Sequence, residues 1–258
     1  MVIFSSTKTS EGIFSSFGLW FDDKNVFWQN VQDTFAYQNG AYTRWLFNTI
    51  MYAAVAGVGA TIIATFAGYA IATMRFPGRN ALLAVTLAFM SIPSTVITVP
   101  LFLMYSKIGL VGTPWAVIIP QLATPFGLYL MIIYAQTSIP VSLIEAAKLD
   151  GASTWTIFWK VGFPLLSPGF VTVLLFTLVG VWNNYFLPLI MLSDTNDYPL
   201  TVGLNMWLKM GAQGTANGQV PNNLIITGSL IAVVPLIIAF MFLQKYWQSG
   251  LAAGSVKQ

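Results

Sequence analysis

The sequence predicts an all-α, polytopic membrane protein with five transmembrane helices and one short charged helix on the cytoplasmic side. Hydrophobic residues make up 56% of the 258-residue chain and charged residues only 7%, and the mean hydropathy is +0.72. About 25% of the residues of a soluble domain are charged, so this chain has too few to cover a surface that faces water. Its longest apolar runs reach the roughly 20 residues that a helix needs to cross a bilayer.

Five uncharged apolar runs follow one another along the chain. They are Leu46–Met74, Ala81–Ser106, Thr113–Gln136, Pro168–Leu192 and Asn223–Gln244. The connection between the first two runs, Arg75–Asn80, is tight and basic, and a polar loop over about 193–222 precedes the last run. The connection over about 139–166 is the most charged, which predicts a separate element there.

One face of the first span consists of small residues from end to end. An Ala or Gly recurs at every fourth position, at Ala56, Ala60, Ala64, Gly68 and Ala72. Small faces let helix backbones approach closely in lipid. We expect this face to pack within the chain, and a seam between two subunits is the alternative.

Prolines interrupt the other spans and predict kinked or broken helices. They are Pro93, Pro100, Pro120, Pro125, Pro188 and Pro235. Broken helices often border a transport pathway, but prolines are frequent in membrane helices in general. The pattern therefore favours transport only weakly.

The placement of Lys and Arg orients the spans, because short cytoplasmic loops are enriched in these residues. One side carries its basic residues in short segments, at Arg75, Arg79, Lys148, Lys160, Lys245 and Lys257. The other side spreads Lys8, Lys24, Arg44, Lys107 and Lys209 over longer segments. The first side is predicted to be cytoplasmic, with the C-terminus, and the loop at about 193–222 extracytoplasmic.

This orientation places the N-terminus outside, before a mixed polar segment that has no signal peptide. A transmembrane helix preceding residue 1 would remove the difficulty, so we expect a six-helix protein of which five helices are present. Residues 1–45 are then an extracytoplasmic segment that follows the missing first helix, and residues 46–258 form the transmembrane domain.

Several classes of chemistry are excluded by what the chain lacks. It has no Cys and no His, which removes disulfides, thiolate metal sites, haem ligation and Ser–His catalysis. A net charge of +3 gives no indication of a nucleic-acid partner. No catalytic and no metal-binding residue is predicted.

The energy for uphill transport has no source inside this chain. The spans contain no ionisable group of the kind that ion-coupled carriers place in the membrane, and the chain has no phosphate-binding GxxxxGK[ST] loop. Energy must therefore arrive from another subunit at a cytoplasmic loop.

The stretch Ser142–Leu166, SLIEAAKLDGASTWTIFWKVGFPLL, is the candidate entry point. Ser142 and Glu145 have the spacing of a capping box, in which a hydroxyl and a carboxylate close the start of a helix. Gly151 can end that helix in a left-handed conformation or allow a neighbour to approach closely. A second piece follows, with Trp155, Phe158 and Trp159 on one side, as expected at a lipid interface, and Pro164 is predicted to end it.

This stretch resembles the EAA loop of bacterial ABC importer permeases. The family pattern is EAA-x3-G-x9-I-x-L-P, and the chain matches it at Glu145-Ala146-Ala147, Gly151 and Pro164, with Val161 for the isoleucine and Phe163 for the leucine. The resemblance extends over nearly the whole chain and is greatest to the carbohydrate-importer, MalG-like subfamily. Supporting segments are YAIATMRFPGRN, IPSTVITVPLFLMYSKIGLVGTPWAVIIPQ, VWNNYFLPLIML, YPLTVGL and the terminal GLAAGSVKQ.

The resemblance implies a permease subunit of an ATP-driven, binding-protein-dependent sugar importer in the bacterial cell membrane, not an enzyme. Such permeases have six transmembrane helices and pair with a second permease subunit. They bind two copies of a cytosolic ATPase, which hold ATP and Mg, and receive sugar from an extracytoplasmic sugar-binding protein. The permease itself holds no cofactor and is surrounded by membrane lipid.

The resemblance also assigns coupling to the EAA loop, whose helix docks in the ATPase cleft and switches the pathway between inward- and outward-facing states. The residues implied are Glu145, Ala146, Ala147, Lys148, Asp150 and Gly151. Members often have an acidic residue where Ser142 stands, so a contact made by that acid would be absent here. Glu145 can serve both capping and coupling.

A second set of polar and aromatic residues suits a sugar pathway. It comprises Trp182, Asn183, Asn184 and Tyr185, near the end of the fourth predicted span. The alternative is structural: Trp182 anchors the helix at the membrane interface, and the asparagines bond to neighbouring helices. The structural interpretation is slightly favoured.

Two rival functions come from other classes. A stand-alone secondary carrier of a small polar solute would show an internal repeat or intramembrane charges, and none is evident. A membrane-embedded enzyme or respiratory subunit is disfavoured because the spans lack His, Cys and acidic residues.

Overall fold

The protein is helical, as predicted from the sequence. The computed structural model describes residues 1–212 and 220–254, with side chains as far as residue 244, and it has no strand within that part of the chain. The terminal segment GLAAGSVKQ and part of the predicted loop at 193–222 therefore lie wholly or partly outside the described residues. In chain order the α-helices are α1 (Val2–Ser5), α2 (Gly12–Ser15), α3 (Phe27–Tyr52), α4 (Val58–Thr73), α5 (Arg79–Met90), α6 (Ser94–Lys107), α7 (Pro114–Gln121), α8 (Pro125–Ser138), α9 (Val141–Leu149), α10 (Thr154–Ile157), α11 (Phe163–Trp182), α12 (Phe186–Met191), α13 (Leu200–Ala212) and α14 (Asn222–Gly254).

The described residues contain four helices that are long and apolar enough to cross a membrane, or five spans if α5 and α6 count as one. The four are Phe27–Thr73, Pro114–Ser138, Thr154–Trp182 and Asn222–Gln244. The third and fifth predicted spans agree with these bounds within a few residues. The other three predicted spans differ in where they start or in how straight they are.

The first span begins at Phe27, well before the predicted Leu46. A break at Tyr37–Gly40 divides α3, because Gln38, Asn39 and Gly40 have φ of 49°, 55° and 77°. A π-helical turn at Ala53–Gly57 joins α3 to α4. The predicted start at Leu46 lies a few residues after this break, and the part of α3 before the break is mixed in polarity.

The second predicted span is broken in the middle. α5 and α6 are bent by 103° between Met90 and Ser94. Pro93 lies in this break, where it has no N–H to donate and disfavours a helical conformation at Ile92. The expectation that prolines break helices is confirmed at this position.

The fourth span starts at Thr154 and ends at Trp182, whereas 168–192 was predicted. The prediction that Pro164 ends the preceding piece is wrong, because the helix continues through it. A π-helical turn at Phe158–Gly162 directly precedes α11, and a π turn can accommodate the steric and hydrogen-bonding defects of a nearby proline. After Trp182 the chain leaves the helix, and α12 is a separate element.

The chain divides into two compact units. The first comprises Met1–Tyr52, Tyr105–Val117 and Trp182–Ile238, and the second comprises Ala53–Met104, Ile118–Val181 and Ala239–Gln258. In the first unit, Trp45 and Trp207 are in edge-to-face contact with ring centroids 4.9 Å apart. The Trp45 indole N–H donates to the Thr195 carbonyl at 2.8 Å, which fixes the segment after α12 against α3.

The core of the second unit joins α4, α8, α9 and α11. It contains Tyr69, Met131, Ile144 and Leu166 among its buried residues. The small face lies inside this unit: Ala56, Ala60 and Ala64 are buried, and a Cβ built on Gly68 would be 2.6 Å from the Met131 Cβ. The expectation that this face packs within the chain is confirmed.

Candidate functional site

The EAA stretch forms α9, a nine-residue helix that begins one position before the predicted capping residue. Pro140 is the N-cap, with φ −63° and ψ 133°, and it supplies no side-chain bond. The predicted capping box is therefore wrong. The fixed φ of Pro140 suits the extended backbone of an N-cap. With Pro140 in that place, Ser142 and Glu145 lie two positions further into the helix than a capping box requires. Glu145 is exposed and is not needed to close the helix.

The end of α9 is a Schellman turn centred on Gly151. The Gly151 N–H donates to the Lys148 carbonyl and the Ala152 N–H to the Ala147 carbonyl, both at 3.0 Å, which is the paired pattern of that motif. Gly151 has φ +77°, and a Cβ there would meet no atom within 4 Å. Of the two roles considered for this glycine, helix termination is confirmed, and the space beside it is open.

The two faces of α9 differ in what they contact. Ile144 is buried in the core of the second unit, and Ala147 and Ala152 pack against the same core. The opposite face carries Ser142, Glu145, Ala146 and Leu149, which are all exposed and follow the i, i+3, i+4, i+7 spacing of one helical stripe. We call these four residues the outward stripe.

The outward stripe is a continuous exposed surface of α9. Its centre is small, and at its end Leu149 is 90% exposed, an unusual position for a leucine on a helix held rigidly from behind. Lys148 and Asp150, predicted from the resemblance, are also exposed beside it. Leu149 was not predicted, although its spacing from Ile144 would have placed it on the outer face.

The second part of the EAA stretch is fixed by aromatic rings. Trp155, Phe158 and Trp159 are in mutual contact on one side, as predicted. All three also contact Phe66 of α4, which lies parallel to Trp155 with ring centroids 5.6 Å apart. Phe158 is buried, while Trp155 and Trp159 are largely exposed.

The predicted pathway residues lie at the break between α11 and α12. Trp182 is buried, and Asn183 is exposed. The Asn184 side-chain oxygen accepts a hydrogen bond from the Leu187 N–H at 3.3 Å, and the Asn184 backbone carbonyl accepts one from the Thr201 hydroxyl at 2.8 Å. Tyr185 donates to Asn205 Oδ1 at 2.9 Å. The four residues are consecutive and span the break. Asn184 is bonded to α12 and α13, and Tyr185 is bonded to α13.

Comparison with known proteins gives a consistent assignment. Residues 60–252 match the model of a family described as binding-protein-dependent transport system inner membrane component. The arabinooligosaccharides transport system permease protein AraQ of Halalkalibacterium halodurans is 32% identical over 228 residues, 87% of this chain and 79% of the relative. The melibiose/raffinose/stachyose import permease protein MelC of Bacillus subtilis is 27% identical over 260 residues, 99% of this chain and 90% of the relative.

The fold is shared with a solved structure. A crystal structure of a bacterial ABC transporter involved in the import of the acidic polysaccharide alginate contains a chain that matches with a TM-score of 0.82 at 23% identity, covering 95% of this chain and 88% of that one. The family implies an ATPase and a substrate-binding protein as partners, with ATP hydrolysis on the separate ATPase subunit. The chain is an integral membrane protein that belongs to the family of binding-protein-dependent transport system inner membrane components, the permeases of ABC importers.

Proposed function

We propose that this chain forms half of the translocation pathway of an importer of sugars or oligosaccharides and receives the motion of the ATPase through α9. The observation that carries the proposal is the outward stripe of α9. It is small and exposed, it is backed by the core of the second unit through Ile144, and it ends at an open Schellman turn. A helix supported in this way can transmit a displacement without bending.

The substrate class is inferred from relatives. AraQ is named for arabinooligosaccharides and MelC for melibiose, raffinose and stachyose. All of these named substrates are short saccharides. We infer the same class for this chain, without choosing one sugar.

The proposed assembly contains a second permease subunit, two copies of a cytosolic ATPase that hold ATP and Mg, and an extracytoplasmic sugar-binding protein. It lies in the bacterial cytoplasmic membrane with α9 and the C-terminus on the cytoplasmic side. The basic residues Arg75, Arg79, Lys148 and Lys160 support this orientation. Lys245 and Lys257, which follow the last span in the sequence, are also basic and support the same orientation.

Each residue of the loop has a distinct proposed role. Glu145, freed from capping, pairs with a basic residue of the ATPase, while Ala146 lets the helix seat closely. Leu149 enters an apolar pocket of the cleft, because burying an exposed leucine is worth about 1.5–3 kcal/mol. Ala147 and Gly151 hold the helix in position, and Lys148 and Asp150 form the polar rim.

The test uses the assembled importer in nanodiscs and measures ATPase retention and sugar-stimulated ATP hydrolysis. Leu149→Ser and Glu145→Ala each remove an exposed side chain, so folding should be unaffected. We expect each to weaken ATPase association by about ten-fold or more. Leu208→Ser, at an exposed leucine of α13, is the matched control and should retain both readouts. Unchanged association and hydrolysis in both α9 variants would refute the docking role.

We also propose which residues at the break between α11 and α12 contact the sugar. Asn183 is exposed at the break and Tyr185 is half-buried two residues later, so these two are proposed to contact sugar. Trp182 and Asn184 are proposed to shape the break. Asn183→Ala should raise the sugar concentration for half-maximal transport without changing basal ATP hydrolysis.

No observation favours the alternative of a stand-alone secondary carrier. Uptake of sugar into vesicles that contain this chain and lack the ATPase would establish that alternative. We expect no uptake above that of empty vesicles.

A further inference from the structure

A basic cleft lies where the chain passes from α4 to α5. Its volume is about 410 Å³, enough for a phosphate group with part of a glycerol unit. The lining residues are Arg75, Phe76, Gly78, Arg79, Asn80 and Ala81. Two arginines and one asparagine thus line the same space.

No acidic residue lines the cleft. The sequence has no Asp or Glu between Asp33 and Glu145, so the charge of Arg75 and Arg79 has no counter-charge in their own part of the chain. Arg79 donates from Nη2 to the Ala72 carbonyl at 3.4 Å. This single long bond leaves most of its N–H groups for another acceptor.

The cleft lies next to two helices of membrane-spanning character. Arg75 follows the span that ends at Thr73, and Arg79 is the first residue of the bent pair that makes the next candidate span. Basic groups at such a boundary lie at the depth of lipid headgroups. The 12-residue α5 also starts there without a side-chain cap.

We propose that this cleft binds the phosphate of an anionic phospholipid headgroup. The planar guanidinium fork matches phosphate oxygens in a bidentate arrangement that an ammonium cannot reproduce. Phe76 and the adjacent spans supply apolar surface for the glycerol and the start of the acyl chains. The site is independent of which sugar is transported.

The experiment compares lipid retention by the purified importer with native mass spectrometry, after equilibration with phosphatidylglycerol or phosphatidylcholine. Wild-type protein should retain phosphatidylglycerol in preference. Arg75→Gln and Arg79→Gln should each reduce that preference about five-fold, and Arg75→Lys should reduce it less than Arg75→Gln. Arg75→Gln leaves the Arg79–Ala72 bond in place, which separates lipid binding from folding.

The matched control removes two charges elsewhere. Lys107→Gln with Lys209→Gln should leave the preference unchanged, and an equal loss in this control would overturn the proposal. Competition by inorganic phosphate distinguishes the sources: a cleft occupied from solution would bind phosphate equally well without lipid, which would overturn the lipid assignment. A fall in ATPase association that is the same in neutral and anionic nanodiscs would identify a protein contact and would also overturn it.

Discussion

Phe66 of α4 and Trp155 of α10 stack face to face, with ring centroids 5.6 Å apart and planes 7° from parallel. Phe66 also contacts Phe158, at 4.8 Å between centroids. Three residues further along α4, the Tyr69 ring lies so close to Gly162 that a Cβ there would be 2.7 Å from the Tyr69 Cε2. The segment following the proposed docking helix is thereby fixed to α4 over two helical turns.

Removing the Trp155 ring should separate docking from transmission. Trp155 is 61% exposed, and an aromatic pair adds about 0.5–1.5 kcal/mol beyond its buried area, so Trp155→Ala should fold. We expect the ATPase to remain bound while sugar-stimulated ATP hydrolysis and uptake fall several-fold, because α10 would no longer follow α4. Trp155→Phe retains a ring and should preserve most of the activity.

The control for this prediction is Trp115→Ala, at a tryptophan of α7 that is 55% exposed. It removes a side chain of the same size and should leave stimulated hydrolysis unchanged. Equal losses in the two variants would show that the effect reports general interfacial anchoring. Loss of ATPase binding in Trp155→Ala would assign Trp155 to the docking surface.

The backbone at Gly151 gives a second prediction. Gly151→Ala forces a side chain into a left-handed conformation at a cost of about 1 kcal/mol, although its Cβ would meet no neighbour. We expect weaker ATPase association because the end of α9 shifts. Gly109→Ala is the matched control, since Gly109 has φ +71° and equally open space. It should cost similar stability without affecting association, and Gly151→Asn should behave better than Gly151→Ala because asparagine tolerates this conformation.

The sequence predicted the helical class and a short helix in the EAA stretch because both depend on local patterns. Hydropathy located the third and fifth spans within a few residues, and the glycine in Glu145-Ala146-Ala147-x3-Gly151 ends its helix as expected. The predicted capping box was wrong because Pro140 determines where the helix begins. The spacing of Ser142 and Glu145 does not by itself show whether the helix starts at Pro140 or at Ser142. The predicted end of the fourth span at Leu192 was wrong because residues 183–192 are largely apolar and read as a continuation of the membrane helix. The break after Trp182 depends on bonds from Asn184 and Tyr185 to α13, which hydropathy does not show.

The close packing of α4 on α8 leads to a third prediction. A Cβ on Gly68 would be 2.6 Å from the Met131 Cβ and 3.1 Å from the Met131 carbonyl carbon. Because backbone atoms are involved, the helices must separate, and such overpacking costs about 1–3 kcal/mol. Gly68→Ala should therefore lower the free energy of unfolding in mixed micelles. Gly180→Ala, where nothing lies within 4 Å, should be neutral or stabilising, and a neutral result at Gly68 would contradict the packing.

The buried hydroxyl pair Thr61 and Thr177 gives the last prediction. The two Oγ1 atoms are 2.9 Å apart, and both lie within hydrogen-bond distance of the Gly57 carbonyl at the end of the π turn, Thr61 at 2.8 Å and Thr177 at 3.1 Å. The Thr177 hydroxyl also has the Val173 and Leu174 carbonyls at 3.0 Å. Thr177→Val leaves the Thr61 bond, so it should cost only about 0.6 kcal/mol, the average for hydrogen bonds in membrane proteins. Combining Thr61→Val with Thr177→Val leaves the carbonyl without either hydroxyl, and unfolding in mixed micelles should show a loss larger than the sum of the single variants. Thr172→Val, which removes a bond only within α11, is the control, and strict additivity of the pair would show that the two hydroxyls act independently.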